Sequence, residues 1–250
     1  MIPSMREDSP ARQHRDFVAK FLQNGRGAIP LTIEQIDMML RLLAAAHGGN
    51  IRNFLNLGCG GGFLASAILD EYPRARGLLV DLSAPTVEAA RRRMPAHTDR
   101  IECLDLDYQQ PAWICEATPH APFDAVVSGF ASHHLPEARK RALFQEIFDL
   151  LAPEGIFINV EHVSSATRWT ESYLDDYAIE AIFGAQLKAF PGKTRAEVAR
   201  AYYAHAAQDP EVPAPLEVQC DWLREIGYSN GECYLKMLDL AVFGGQKPGP

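Results

Sequence analysis

The sequence predicts an α/β protein: a doubly wound, mostly parallel seven-stranded sheet with helices on both faces, N-terminal helices, and a helical lid inserted between strands five and six. Three observations predict it. Between residues 53 and 161, short apolar runs alternate with stretches of helical period, the pattern of a parallel sheet covered on both sides. The first apolar run ends in a glycine-rich turn that opens an apolar helix. Residues 164–215 then leave the alternation and carry helical pattern with no strand between.

Taken in order, residues 11–24 read as an amphipathic helix, and Gly25 to Pro30 break it. Thr32 is expected to cap a second helix that runs to about Ala46, with Ile33, Ile36, Met39, Leu40 and Leu43 on one face. His47, Gly48 and Gly49 stop it, so 1–49 form an N-terminal helical cap. The core, 50–163, holds strands at Phe54–Leu57, Leu78–Asp81, Ile101–Leu104 and Phe123–Ser128, and a fifth after the Ala152-Pro153-Glu154-Gly155 turn. Two basic clusters, Arg91–Arg93 and Arg139–Arg141, fall on predicted helices and read as solvated faces. In the lid, 164–215, helices are expected from Thr167 to about Lys188 and from Thr194 to about Gln208, separated by Pro191-Gly192. Residues 216–250 supply a last helix and the strands that complete the core, Leu238 to Gly245 among them.

The turn reads Gly58-Cys59-Gly60-Gly61-Gly62, with Phe63 next. Glycine lets the backbone turn tightly and lets a ligand approach, since no Cβ intervenes. The first amides of the following helix point outward as unpaired donors. A dinucleotide fingerprint would want glycine where Phe63 stands, which argues against a nicotinamide oxidoreductase. The loop instead resembles the S-adenosylmethionine loop of the class I, Rossmann-like methyltransferases. Further segments carry the same resemblance: the acid ending strand two, the acids after strand three, Phe123-Asp124-Ala125-Val126, Leu151-Ala152-Pro153-Glu154-Gly155, and Trp222 to Tyr228. It covers roughly 50–163 and 216–246.

The resemblance implies S-adenosyl-L-methionine as cofactor, S-adenosyl-L-homocysteine as product, and a binding set of Arg26, Asn56, Gly58, Cys59, Gly60, Asp81, Leu82, Leu106, Asp107 and Ser128. Asp81 would accept hydrogen bonds from the ribose hydroxyls or, as a plain loop acid, cap the next helix. Asp107 would meet the adenine amino group, with Asp105 the alternative. Arg26 would reach the methionine carboxylate or stand as a surface arginine. One departure stands out: Asn56 occupies a position where the family has an acid, which keeps hydrogen bonding and drops a charge.

Four titratable groups are expected to meet at the ends of strands four and five: His133, His134, Glu161 and His162. His133, His134 and Glu161 are the catalytic candidates. A histidine near neutral pKa can act as base where the acceptor must lose a proton. The same set could ligate a metal, although no metal is expected, or a histidine could simply pack. Adjacent histidines are expected to point apart, so one at most would face the acceptor. Trp169, Tyr173 and Tyr177, spaced by four, form an aromatic stripe that packs the lid on the body or lines an acceptor pocket.

With 250 residues, 47% of them hydrophobic, the chain can bury a sizeable core. Its net charge of −8 disfavours nonspecific binding to nucleic acid or an acidic membrane. The five cysteines are odd in number and lack Cys-x-x-Cys spacing, which fits reduced thiols in the cytoplasm. Met1 to Pro10 lack the apolar core of a signal peptide, and no apolar run is long enough to cross a bilayer. The leading expectation is methyl transfer to oxygen, nitrogen or carbon of a small molecule by a monomer or homodimer. The alternatives are transfer of a carboxymethyl-type group, which needs a cation such as Arg26 or Arg168 near the transferred carbon, and a non-catalytic binding module on the same fold.

Overall fold

The computed structural model describes residues 31–165, 167–189, 192–208 and 213–250. The predicted helix over 11–24 and the site candidate Arg26 lie outside these described residues.

Seven strands form one sheet: β1 (Asn53–Leu57), β2 (Arg76–Asp81), β3 (Ile101–Asp105), β4 (Phe123–Gly129), β5 (Leu151–His162), β6 (Ser229–Met237) and β7 (Leu240–Gln246). Their order is β3-β2-β1-β4-β5-β7-β6. The first five are parallel, and β7 runs antiparallel between β5 and β6. Helices α1 (Thr32–Ala45), α2 (Phe63–Glu71), α3 (Ala84–Arg93), α4 (Trp113–Ala117), α5 (Glu137–Leu150) and α8 (Leu216–Ile226) accompany the sheet. Helices α6 (Arg168–Ala189) and α7 (Arg195–Gln208) form the excursion between β5 and α8.

The central strands are apolar on both faces because both are covered. Successive residues of β1 point to opposite sides. Leu55 and Leu57 join Val126, Phe144, Phe157, Leu223 and Phe243 in one core, under α5 and α8. Phe54 joins Met39, Ile68, Leu79, Val127 and Ile158 in the other, under α1 and α2. The chain order reverses direction between β1 and β4, so the loops after β1 and β4 diverge at the carboxyl edge and leave a crevice there.

Four local expectations are corrected. Thr32 is the first helical residue rather than the cap: Leu31 precedes α1 in a left-handed conformation (φ 56°), with no side-chain cap. The turn expected before strand five lies within β5, as an irregularity that passes register from Phe123↔Leu151 to Ala125↔Ile156, with Glu154 left-handed at φ 64°. The basic cluster on α5 is not a solvated face. Lys140 is 1% exposed, and Arg139 turns inward to pair with Glu146 at 2.7 Å. The aromatic stripe does not pack the lid on the body, since Trp169, Tyr173 and Tyr177 are 77%, 51% and 40% exposed. Trp169 and Tyr173 stack on each other instead.

Candidate active site

The glycine loop leaves β1 with three residues of positive φ, Gly58 (61°), Gly60 (51°) and Gly62 (75°). That run is open to glycine and strained for other residues. The need is also steric at Gly58, where a Cβ would lie 2.2 Å from Ala131 Cβ and 3.2 Å from Tyr108 Oη. The loop is thus pressed between the segments that follow β3 and β4.

Asp81 ends β2 beside it. Its carboxylate accepts from Gly60 N–H at 2.8 Å and from Ser83 N–H at 3.2 Å. A carboxylate has about four acceptor positions, so these two bonds fix its orientation and leave capacity for hydroxyl donors. Leu82, 43% exposed, follows it, and Leu106, half-buried, docks by donating its N–H to the Asp81 carbonyl at 3.0 Å. The two thus put apolar surface beside the acid. Asp105 pairs in register with Asp81, and Asp107 is exposed with its side chain accepting from Gln109 N–H at 3.0 Å. The cap of α3 is Ser83, whose Oγ accepts from Thr86 N–H at 3.4 Å; Asp81 does not take that role.

Beneath the loop lies a cavity of about 40 Å³, lined by Asn56, Gly58, Phe63, Leu64 and Phe130 and roofed by Thr32 and Gln35 of α1. Asn56 is 1% exposed; its Nδ2 donates to the Val127 carbonyl at 3.3 Å, and its Oδ1 is buried with no hydrogen-bond partner. A buried unmet acceptor is costly, and this one borders a space where a donor group of a ligand fits. Ser128, by contrast, is sealed in the sheet opposite Leu57 and Asn159, its hydroxyl without a partner.

Cys59 is buried, and its thiol is pushed up to about 12 by desolvation first and by the Asp81 carboxylate second. It stays a thiol at neutral pH, so the cradle carries no thiolate that would compete for an electrophilic carbon. Tyr108 is buried against the same loop. Its phenol is held far above the usual range, by burial and then by Asp81 and Glu161. The Tyr108 carbonyl accepts two bonds from the Arg139 guanidinium, at 3.1 and 2.8 Å.

The loop after β4 folds over Glu161 of β5. Its carboxylate accepts from Ala131 N–H (3.1 Å), Ser132 N–H (2.7 Å), Ser132 Oγ–H (2.8 Å) and His162 N–H (2.9 Å). His133 Nδ1 lies 2.6 Å from Glu161 Oε1. Burial pushes the carboxyl up, but the bonds from His133 and Ser132 outweigh it and hold the group below its ordinary value. An ionised carboxylate only accepts, so Nδ1 of His133 carries the proton that faces Glu161. Glu161 is 1% exposed and wholly occupied with this loop, so it positions His133 and does not itself reach an acceptor. Lys140 Nζ approaches the His133 carbonyl at 3.5 Å from below.

The two adjacent histidines do not point apart. Phe130 is left-handed (φ 53°), which turns the chain out of strand geometry, and the His133 and His134 ring centroids lie 3.9 Å apart. His133 is buried and His134 exposed. The His162 ring sits 5.6 Å from that of His133 and 5.1 Å from that of Phe130. His162 lines a second, larger cavity of about 390 Å³ between the lid and the β6–β7 turn, and Phe130 lines the small cavity below the glycine loop. The Phe130 and His162 rings therefore stand between the two spaces. Among the described residues no group of three or more His, Cys, Asp or Glu is placed to hold a metal ion.

Sequence reasoning brought His133, His134, Glu161 and His162 together as the structure does. It missed Tyr108, whose role depends on packing against Gly58, and Asp239 of the β6–β7 turn, whose Oδ2 lies 2.9 Å from His162 Nδ1. No local pattern marks either residue.

A doubly wound sheet of this order, with a side-chain-free cradle after β1 and an acid ending β2, is the fold of the class I methyltransferases that the sequence resembles. Residues 54–155 match the family model described as a methyltransferase domain, and the chain carries that domain. It is 29% identical over 115 residues to the trans-aconitate 2-methyltransferase of Azoarcus sp. (strain BH72), which covers 46% of this chain and 41% of that protein. It is 23% identical over 232 residues to the carboxy-S-adenosyl-L-methionine synthase of Helicobacter hepaticus, covering 93% of this chain and 82% of that one. An O-methyltransferase family protein from Burkholderia thailandensis shares the fold at a TM-score of 0.59 and 15% identity, over 96% of this chain and 64% of that one. The chain spans between a quarter and about half of the length of the first curated relatives it matches, 41%, 24% and 52%. Among the described residues no helix is long and apolar enough to cross a membrane.

Proposed function

We propose that the protein transfers a methyl group from S-adenosyl-L-methionine to a small molecule held in the cavity beneath the lid. The observation that carries this reading is the adjacency of the two spaces, whose walls meet at the Phe130–His162 contact: the glycine cradle lies next to a cavity of ligand size. The cofactor, when bound, supplies a methyl carbon activated by sulfonium, whose carbon–sulfur bond breaks as the bond to the acceptor forms and S-adenosyl-L-homocysteine leaves.

The residues divide the remaining work. Gly58, Gly60 and Gly62 give the close backbone approach, Asp81 offers acceptors to ribose hydroxyls, and Leu82 and Leu106 offer apolar surface to a base. Asp107 and Asp105 stand at the same edge for the exocyclic amine. Asn56 Oδ1 faces the donor end of the methionine portion, which accounts for an otherwise orphaned acceptor. For an acceptor that must lose a proton, the base we propose is one of the imidazole cluster: His133, which Glu161 orients but which lines neither cavity, or His162, which lines the larger one. Alignment in a dry site can supply about 7–11 kcal/mol of barrier reduction, so the base matters only for protonated acceptors.

Carboxymethyl-type transfer is the reading suggested by the long alignment to a carboxy-S-adenosyl-L-methionine synthase. It needs a cation at the transferred carbon. Arg168 is exposed and lines neither cavity, Arg26 lies outside the described residues, and the carboxylates of the larger cavity are the observation that favours ordinary methyl transfer. The test is transfer of radiolabel from S-[methyl-³H]adenosylmethionine to a panel of small alcohols, amines and acids. Labelled product with stoichiometric S-adenosyl-L-homocysteine supports the reading. Tight cofactor binding with no label transferred to any member would favour a non-catalytic module.

A further inference from the structure

The larger cavity has a chemical character that nothing in the core motifs dictates. Glu171 and Asp175 stand one turn apart on α6, so both side chains project from one helix face into it. Asp239 enters from the opposite wall, on the β6–β7 turn. Three carboxylates from two separate parts of the fold therefore surround one space. Its lining, among the described residues, includes no lysine or arginine. His162 lies beside Asp239 at 2.9 Å, so even a protonated imidazole leaves the carboxylates in excess. The lid arginine Arg195 is paired with Asp176 and Glu180, neither of which lines the cavity.

The rest of the wall is apolar and aromatic. Leu174, Ile182 and Leu240 supply the apolar part, and Tyr177 and Tyr202 supply rings. The Tyr202 hydroxyl donates to Asp175 Oδ1 at 3.0 Å, which fixes that carboxylate's direction and ties α7 to α6 across the cavity. Carboxylates attract a cation, and their attraction is stronger in a partly enclosed space than in open water. Aromatic faces add to it. An anionic ligand would meet repulsion on two sides, with no lysine or arginine in the described lining to offset it.

We propose that the acceptor is a small amine: a molecule with a cationic nitrogen recognised by Glu171, Asp175 and Asp239 and an apolar body seated on the lid's hydrophobic wall. This rests on the reading of the cavity as the acceptor site. The lid then selects by charge, while the glycine cradle handles the cofactor.

Calorimetric titration of the full chain, saturated with S-adenosyl-L-homocysteine, tests it with three probes of one apolar body: 2-phenylethylamine, 2-phenylethanol and 3-phenylpropionate. The amine is expected to bind at least about tenfold tighter than either of the others, and the gap is expected to narrow at high salt. Glu171→Gln, at an exposed position, is expected to weaken the amine severalfold and leave the alcohol unchanged; Asp239→Asn is expected to act in the same direction. Equal or tighter binding of the acid or alcohol, or amine affinity indifferent to both substitutions, overturns the proposal. The titration of S-adenosyl-L-homocysteine itself separates the two claims. If it binds and the probe order fails, only the amine assignment falls. If it does not bind, the methyl-transfer reading falls and takes the amine assignment with it.

Discussion

Glu161 and His133 are locked together, Oε1 to Nδ1 at 2.6 Å, in a pocket where both side chains are almost fully buried. The same carboxylate gathers the backbone of residues 131 and 132, so the loop after β4 is folded around one negative charge. Two consequences follow, for stability and for turnover.

The first is a stability effect with a defined pH dependence. Glu161→Gln replaces an acceptor-only group by one whose amide would face the Ala131, Ser132 and His133 donors. Leaving buried donors without their charged acceptor costs about 1–3 kcal/mol. Because the folded-state pKa lies below the ordinary value, the carboxylate's contribution is complete above the unfolded pKa of about 4.3. It is lost as pH falls through the lower folded-state value. Denaturant titrations at neutral pH should show the full gap between wild type and Glu161→Gln, and the gap should close below about pH 4.

The second concerns turnover. His133→Ala should reduce methyl transfer to a proton-losing acceptor by about 10²-fold or more, with S-adenosyl-L-homocysteine affinity nearly unchanged. Radiolabel transfer and calorimetry on the same preparation measure both. Parallel losses of rate and cofactor affinity would mean that the imidazole only supports the loop. His134→Ala and His162→Ala, run beside it, show which ring takes the proton.

Gly58→Ala should damage the cradle directly. The new Cβ would stand 2.2 Å from Ala131 Cβ at a φ of 61°. Left-handed strain and overpacking together predict a loss of about 2–4 kcal/mol, seen as a lower Tm and at least about tenfold weaker S-adenosyl-L-homocysteine binding.

Asp81→Ala removes the acceptor that holds Gly60 N–H and the acid proposed for the ribose. Cofactor affinity should fall about tenfold or more, the size expected for hydrogen bonds left unmade. Calorimetry that returned wild-type affinity would refute the ribose assignment.

Iodoacetamide at neutral pH should modify the exposed Cys115 and spare Cys59, whose thiol is held at about 12 by burial and by Asp81. Peptide mapping after alkylation checks this, and alkylated protein should still bind S-adenosyl-L-homocysteine.

The first four strands were readable from the sequence because each is a short apolar run closed by a glycine or an acid, as at Gly58, Asp81 and Gly129. The lid helices were readable because residues 164–215 carry helical pattern with proline and glycine at their ends. What the sequence hid was side-chain destination. Lys140 sits in a run of three basic residues, and only the packing of α5 on the loop after β4 buries it. Trp169 and Tyr173 have core-like spacing yet stack on each other at exposed positions, while Leu174, Ile179 and Val198 are the buried apolar residues of the two lid helices. Asp239 and His162 are far apart in the chain and meet only because β7 returns antiparallel beside β5.

Methyl transfer as proposed requires that the glycine turn after β1 cradle a sulfonium nucleoside. Native mass spectrometry of the purified chain, with S-adenosyl-L-homocysteine and NADH added in equal amounts, tests it most directly. One S-adenosyl-L-homocysteine per chain is the expected result, lost in Gly58→Ala. Retention of NADH in its place, or of neither compound, would contradict it.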